Sequence, residues 1–271
     1  MSKNLNLSKT RMITESAVML ALAISLSLVK ILELPYGGAV TVASMLPVII
    51  IAYRYGTGWG LLTGTVYGII QQLLGLNTLS YVTTWQSVVA VIMLDYVAAF
   101  AVLGLGGVFR KVRSQAQGLL LGTVLVCALR YVCHVISGAT VWAGLSIPDN
   151  AALIYSFGYN ATYMIPETIV TAVAAFYIGS VIDFRNDRIT GIRAGEKKTF
   201  PVLKWIAGLV IVAAVIFGAV NVFMYLQNAD SGEFDVTGLA SVNWSLVGIV
   251  VAAAALIASI LFALSSVKKG K

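Results

Sequence analysis

Apolar positions in this chain run together instead of alternating with polar ones. Eight apolar stretches, at about 12–32, 39–53, 58–76, 85–109, 117–143, 159–182, 203–226 and 243–266, are separated by shorter polar segments. About 20 mostly apolar residues suffice to cross a bilayer as an α-helix. The pattern therefore predicts an all-α integral membrane protein. The second stretch is short and contains Pro47, so it is expected to be irregular or tilted. The first follows a basic start, as a signal peptide would. Its apolar run is too long for a typical h-region and further spans follow, so it is expected to remain an uncleaved helix.

Composition agrees with this reading. Of 271 residues, 59% are apolar and 11% charged, against roughly 25% charged in a soluble domain. A soluble enzyme, a disordered chain and a disulfide scaffold are thereby excluded. The net charge of +7 does not indicate nucleic acid, because the basic residues follow the loops. With the N-terminus in the cytoplasm, 16 of the 18 Lys and Arg fall in cytoplasmic segments, Lys30 lies outside and Arg130 lies within a span. Glu33, Asp149, Asp230, Glu233 and Asp235 fall outside. This bias predicts both termini inside, with attraction to anionic lipid as a secondary effect. Cys127 and Cys133 lie in an apolar run and are expected to be buried thiols.

The polar stretch before the seventh span divides the chain. Residues 1–185 are expected to form a six-span substrate-binding domain, 186–202 a basic cytoplasmic linker, and 203–271 a two-span extension. The extension carries no intramembrane charge, so function is sought in the first six spans. Gly56, Gly60, Gly64 and Gly68 recur every four residues, a stripe that lets helix backbones approach closely. No Gly-Lys-Ser/Thr occurs, and Gly104-Leu105-Gly106-Gly107 ends an apolar helix, so neither a P-loop nor a dinucleotide fingerprint is present. Any ATP hydrolysis must come from another subunit.

Ionisable groups inside a bilayer are costly and usually functional. Asp95, Arg130, His134 and Glu167 are placed so by the span pattern. At 1.5 Å per residue, Asp95 is ~15 Å and His134 ~12 Å below the external surface. Pro166 is expected to kink the sixth span just before Glu167. Tyr131, His134, Gly138 and Trp142 share one helical arc, with Arg130 beside it. Asn160, Tyr163 and Glu167 share another, preceded by Tyr155 and Tyr159. Trp85, Asp95 and Tyr96 come from the fourth span. A cavity lined by these groups offers aromatic faces, a carboxylate in need of a positive partner and an amide that both donates and accepts. It suits a small, flat, cationic heteroaromatic solute. The competing structural reading pairs Asp95 with Arg130 as internal glue and assigns Trp85 and Trp142 to the interfacial aromatic belt.

Residues 11–185 resemble the thiamine-specific substrate-binding subunit (S component) of bacterial energy-coupling-factor (ECF) transporters. The resemblance rests on Thr14-Glu15-Ser16-Ala17-Val18-Met19-Leu20-Ala21, on Pro35-Tyr36-Gly37-Gly38 leading to Met45-Leu46-Pro47, and on Leu94-Asp95-Tyr96. It continues in Arg130-Tyr131-Val132-Cys133-His134 through Ser137-Gly138 and Trp142, and in Tyr155 followed by Asn160. It implies a six-helix bundle that captures thiamine from outside and associates with a transmembrane coupling protein and two cytoplasmic ATPases. It places Asp95 at the binding-site acid, usually Glu, and Tyr96, His134, Gly138, Trp142, Tyr155 and Asn160 at ligand positions. Trp142 would stack on the ligand, while Asp95, Tyr155 and Asn160 would bond the aminopyrimidine. Ala17 and Ala21 match a docking stripe on the first helix. Some members carry an aromatic residue and an acid where this chain has Gly38, Thr41 and Val42. Glu33 is the candidate to replace that acid.

Two other functions fit the same residues less well. A self-sufficient proton-coupled carrier would use Asp95, His134 and Glu167 as its relay. An intramembrane enzyme would need chemistry that one histidine and no evident oxyanion donor do not supply. No cofactor, metal or catalytic residue is expected.

Overall fold

The computed structural model describes residues 9–34, 37–142, 152–192, 201–226 and 236–266. The chain divides into two compact units, Met1–Gly191 and Ile192–Lys271. Residues 193–200 of the expected linker, Pro35-Tyr36, and Asp149, Asp230, Glu233 and Asp235, expected outside the membrane, lie beyond the described residues.

The first unit opens with helix α1, Lys9–Ser27. The apolar pattern extends this helix to residue 32, but it stops at Ser27, whose hydroxyl bonds back to the Ile24 carbonyl. Strand β1, Lys30–Glu33, follows and pairs antiparallel with β2, Ala39–Thr41. Val29 and Ile31 are β-branched and favour this extended backbone over a further helical turn.

The second predicted span is thus divided. Its first residues are β2, and helix α2 is only Leu46–Tyr55. Pro47 lies in the first turn of α2, where its missing N–H costs nothing. Ten residues rise ~15 Å, half of a ~30 Å hydrocarbon core. Nine of the ten are buried, so α2 is an interior helix enclosed by its neighbours. Gly56, at φ 97°, ends α2 in the left-handed region that glycine adopts readily and starts α3, Thr57–Leu74.

Helix α4 runs from Trp85 to Lys111. Its seven residues Ile92–Ala98 form a π-helical turn, and its last ten, Val102–Lys111, tighten to a 3-10 helix. Helices α5, Gln115–Thr140, and α6, Ala152–Val181, pack against one another along their lengths. Helix α6 continues through Pro166. Six described helices are long and apolar enough to cross a membrane: α1, α4, α5, α6 and the two of the second unit. The glycine stripe of α3 does what its spacing suggests. A methyl on Gly64 would lie 2.4 Å from the Phe100 carbonyl oxygen, and one on Gly68 2.5 Å from that of Tyr96.

At one end of this unit Arg54, buried at the end of α2, gathers three segments. It pairs with Glu15 of α1 at 2.7 Å and donates to the carbonyls of Phe184, Asn186 and Asp187. Glu15 also accepts from Arg11 and from the Tyr55 hydroxyl.

The second unit contains α7, Pro201–Tyr225, and α8, Trp244–Ser266. Ala207 and Ala214 on α7 and Ala254 and Ala258 on α8 are buried, as expected where small residues bring two helices together. Asn243 caps α8 by accepting from the Leu246 N–H at 3.0 Å.

Candidate substrate-binding site

The π-helical turn of α4 sets the site. An i→i+5 turn is wider than an α-turn and often marks a functional position. Here it carries Asp95 and Tyr96 in succession. Asp95 turns to α5, where its Oδ1 lies 2.9 Å from His134 Nδ1. Its Oδ2 accepts from the Ser137 hydroxyl at 2.6 Å and from the Trp142 indole N–H at 3.3 Å. His134 and Ser137 share one face of α5 at i and i+3, and Trp142 follows two residues past the end of that helix. Tyr96 turns to the short 3-10 segment Leu76–Tyr81 that follows α3, where its hydroxyl lies 3.0 Å from that of Thr78.

Aromatic and aliphatic groups close around this carboxylate. Trp142 is buried in an apolar cluster with Val82, Val91 and Ala152, and Tyr96 and Tyr155 pack against that cluster. Tyr155 reaches it because α6 begins at Ala152, earlier than the apolar pattern implies. Gly138 is buried beside Ser137 on α5.

Asp95 and Arg130 do not form the direct pair that the structural reading of the sequence proposed. Arg130 donates from Nε to His134 Nε2 at 3.2 Å. Its guanidinium carbon lies 4.2 Å from the centre of the Phe100 ring, and Nη1 lies 2.9 Å from Met45 Sδ. His134 thus stands between the cation and the carboxylate.

Asn160 is bonded entirely within the protein. Its amide donates to the Ser156 and His134 carbonyls at 2.9 and 3.3 Å, and its oxygen accepts from the Tyr163 hydroxyl at 2.7 Å. It ties α5 to α6 directly behind His134. Glu167 lies further down α6, with both carboxylate oxygens taken by Thr41: the backbone N–H at 2.5 Å and the hydroxyl at 2.7 Å. Between these two ties, Gly38 approaches Tyr163 so closely that a methyl there would lie 2.8 Å from the ring. The β1–β2 hairpin is thereby fastened to the helix that carries Asn160.

Asp95, Tyr96, His134, Trp142 and Tyr155 come together as the sequence suggested. Trp85 does not. It opens α4 with 73% of its surface exposed, as a residue of the interfacial aromatic belt would be. Tyr131 turns away from the cluster and donates to the Phe157 carbonyl. Glu33 lies on β1 and pairs with Lys30, and Val42 is exposed. Ala17 and Ala21 are exposed on α1 next to Ile13 and Val18, whereas Ser16 is buried and accepts from the Trp59 indole N–H. Cys127 is buried, Cys133 is half-buried, and both are free thiols.

Sequence reasoning missed the role of Ser137, although its position three residues after His134 places both on one face. It also missed Met45, Phe100 and Thr78, two of them apolar, whose parts depend on tertiary packing.

The family described as Thiamine transporter protein (Thia_YuaJ) matches residues 13–183. The thiamine transporter ThiT of Bacillus subtilis (strain 168) is 35% identical over 171 residues, covering 59% of this chain and 85% of that relative. The matched stretch contains every residue of the Asp95 cluster and ends before α7.

Proposed function

The chain belongs to the thiamine transporter family, and from that membership we propose that the Asp95 cluster captures thiamine within the membrane for uptake. One observation carries the reading: the Asp95 carboxylate meets His134, Ser137 and Trp142 beside the apolar cluster in which Trp142, Tyr96 and Tyr155 pack. An ionised carboxylate accepts about four hydrogen bonds, so Oδ1 retains capacity for an incoming N–H. The exocyclic amine of an aminopyrimidine supplies one. The carboxylate charge offsets that of a thiazolium ring. Trp142, Tyr96 and Tyr155 supply flat faces, Gly138 leaves space beside the backbone, and His134 fixes the acid. Asn160 contributes by holding His134 and Tyr163 in place.

The chain lacks a nucleotide-binding motif. The resemblance to ECF substrate-binding subunits implies that energy comes from a separate module, a transmembrane coupling protein with two cytoplasmic ATPases. The exposed Ala17–Ala21 face of α1 is the docking surface, because small residues let a partner helix lie flat. The Lys and Arg distribution supports a chain with both termini in the cytoplasm and a capture site that opens outward. Residues 203–271 form an extension beyond the family region. The proton-carrier alternative loses support from Glu167. Both its oxygens are engaged by Thr41, so no relay continues to it from His134.

The test is thermal stabilisation of the purified chain by thiamine, its phosphate esters, hydroxymethylpyrimidine, riboflavin and biotin. Thiamine at a thousandfold excess over Kd should add about 4 kcal/mol. The phosphate esters should bind more weakly, because the heterocycle docks against a carboxylate. Absence of both a thermal shift and titratable heat with thiamine overturns the proposal.

A further inference from the structure

The guanidinium of Arg130 is held by Phe100 beneath it and Met45 beside it, so that Nε faces His134. Among the described residues it pairs with no carboxylate. A guanidinium has donors only, so His134 Nε2 must be the acceptor in this bond. The single proton of a neutral imidazole is then on Nδ1. That nitrogen faces Asp95 Oδ1 at 2.9 Å. Tyr163 does not compete for Nε2: it meets the imidazole edge-on at 6.1 Å between centroids, and its hydroxyl is committed to Asn160.

We propose that Arg130 is a positioning residue for substrate capture. By donating to Nε2 it holds His134 in the Nδ1–H tautomer, and that tautomer orients the Asp95 carboxylate. The inference rests on the reading that Asp95 receives thiamine. Without the guanidinium, only Asp95 holds the ring, and Nε2 is open to a proton that an Arg130 donor excludes. The effect on the ligand passes through two residues, as outer hydrogen bonds set the orientation of histidines that hold metals.

His134 is the only histidine in the chain. Protein labelled with 15N-histidine therefore gives one imidazole signal, whose long-range proton–nitrogen correlations identify the protonated nitrogen. The wild-type protein should carry the proton on Nδ1, and Arg130→Lys should keep it there with thiamine affinity within roughly threefold. Arg130→Met should put a proton on Nε2 and weaken thiamine binding by roughly tenfold or more. An Nε2–H or doubly protonated ring in the wild-type protein overturns the inference, and this measurement does not depend on any variant folding. An Arg130→Met protein whose Nε2 stays unprotonated, or whose Nε2 gains a proton with unchanged thiamine affinity, also overturns it. A wild-type protein that shows Nδ1–H but does not bind thiamine overturns the substrate reading and leaves the tautomer assignment standing.

Discussion

Glu167 and Thr41 are 126 residues apart in the chain, yet the Glu167 carboxylate accepts both the backbone N–H and the hydroxyl of Thr41, at 2.5 and 2.7 Å. This double bond anchors the end of β2 to α6, just below the Gly38–Tyr163 contact. An intramembrane acid that looks like a transport residue in sequence is here a fastener for the hairpin. Hydrogen bonds to a charged group contribute about 1.5–3 kcal/mol each. Glu167→Gln keeps one acceptor and turns an amide N–H₂ toward one of the two Thr41 donors. It should lower stability by about 2–4 kcal/mol, and Thr41→Ala by less. A double-mutant cycle by thermal unfolding should give a coupling above about 1 kcal/mol. Additive effects would show that the two groups do not support each other.

The glycines of α3 offer a test of close packing that needs no ligand. A methyl on Gly64 would sit 2.4 Å from the Phe100 carbonyl oxygen, whereas one on Gly58 would meet nothing within 4 Å. Gly64→Ala should therefore cost about 1–3 kcal/mol as overpacking. Gly58→Ala should stay within about 0.5 kcal/mol of wild type. Equal melting behaviour in the two variants would contradict the α3–α4 contact.

Asp95 is the residue on which substrate affinity should depend most. Asp95→Asn removes the charge and one acceptor, so the thermal shift caused by thiamine should fall by an amount equivalent to at least tenfold in Kd. Ser137→Ala removes a single donor to the carboxylate and should cost only about threefold. Isothermal titration of the three proteins orders them. If Asp95→Asn binds as tightly as wild type, Asp95 is a structural group and the ligand lies elsewhere.

These predictions draw unequally on sequence and structure. Long apolar runs ended by Arg and Lys made most helices legible, because nothing else in a membrane needs that pattern. The hairpin at 30–41 was not legible: Ile31 and Leu32 continue the first apolar stretch and Ala39 and Val40 open the second, so composition does not distinguish two short strands from the ends of two helices. Asp95, His134 and Trp142 stood out because charge, imidazole and indole are conspicuous in an apolar helix. Met45 and Phe100, which orient Arg130, are ordinary apolar residues and give no such signal. Trp85 was assigned to the site by proximity along α4. Ten residues at about 100° each place it on a different face from Asp95, and the π-helical turn between them shifts the angle further. For Asn160, whether the amide faces a guest or its own helix depends on Ser156 and Tyr163, which no spacing rule selects.

On the proposed reading, the exposed face of α1 serves delivery and not capture. Ala17 and Ala21 are exposed, and neither lies near Asp95 in the chain of contacts just described. The contacts of α1 with the bundle run instead through Ser16, Ala23 and Glu15, to Trp59, Tyr67 and Arg54. Adding bulk at positions 17 and 21 should therefore leave the fold and the thiamine affinity unchanged. Ala17→Trp with Ala21→Trp would, however, raise two indoles where a partner helix must lie flat. In cells that supply the coupling protein and its ATPases, thiamine uptake should fall at least tenfold, while the purified variant binds thiamine within about twofold of wild type, a difference under 0.5 kcal/mol. Uptake that survives both substitutions would move the docking surface off α1, and a parallel loss of binding would place this face in the capture site.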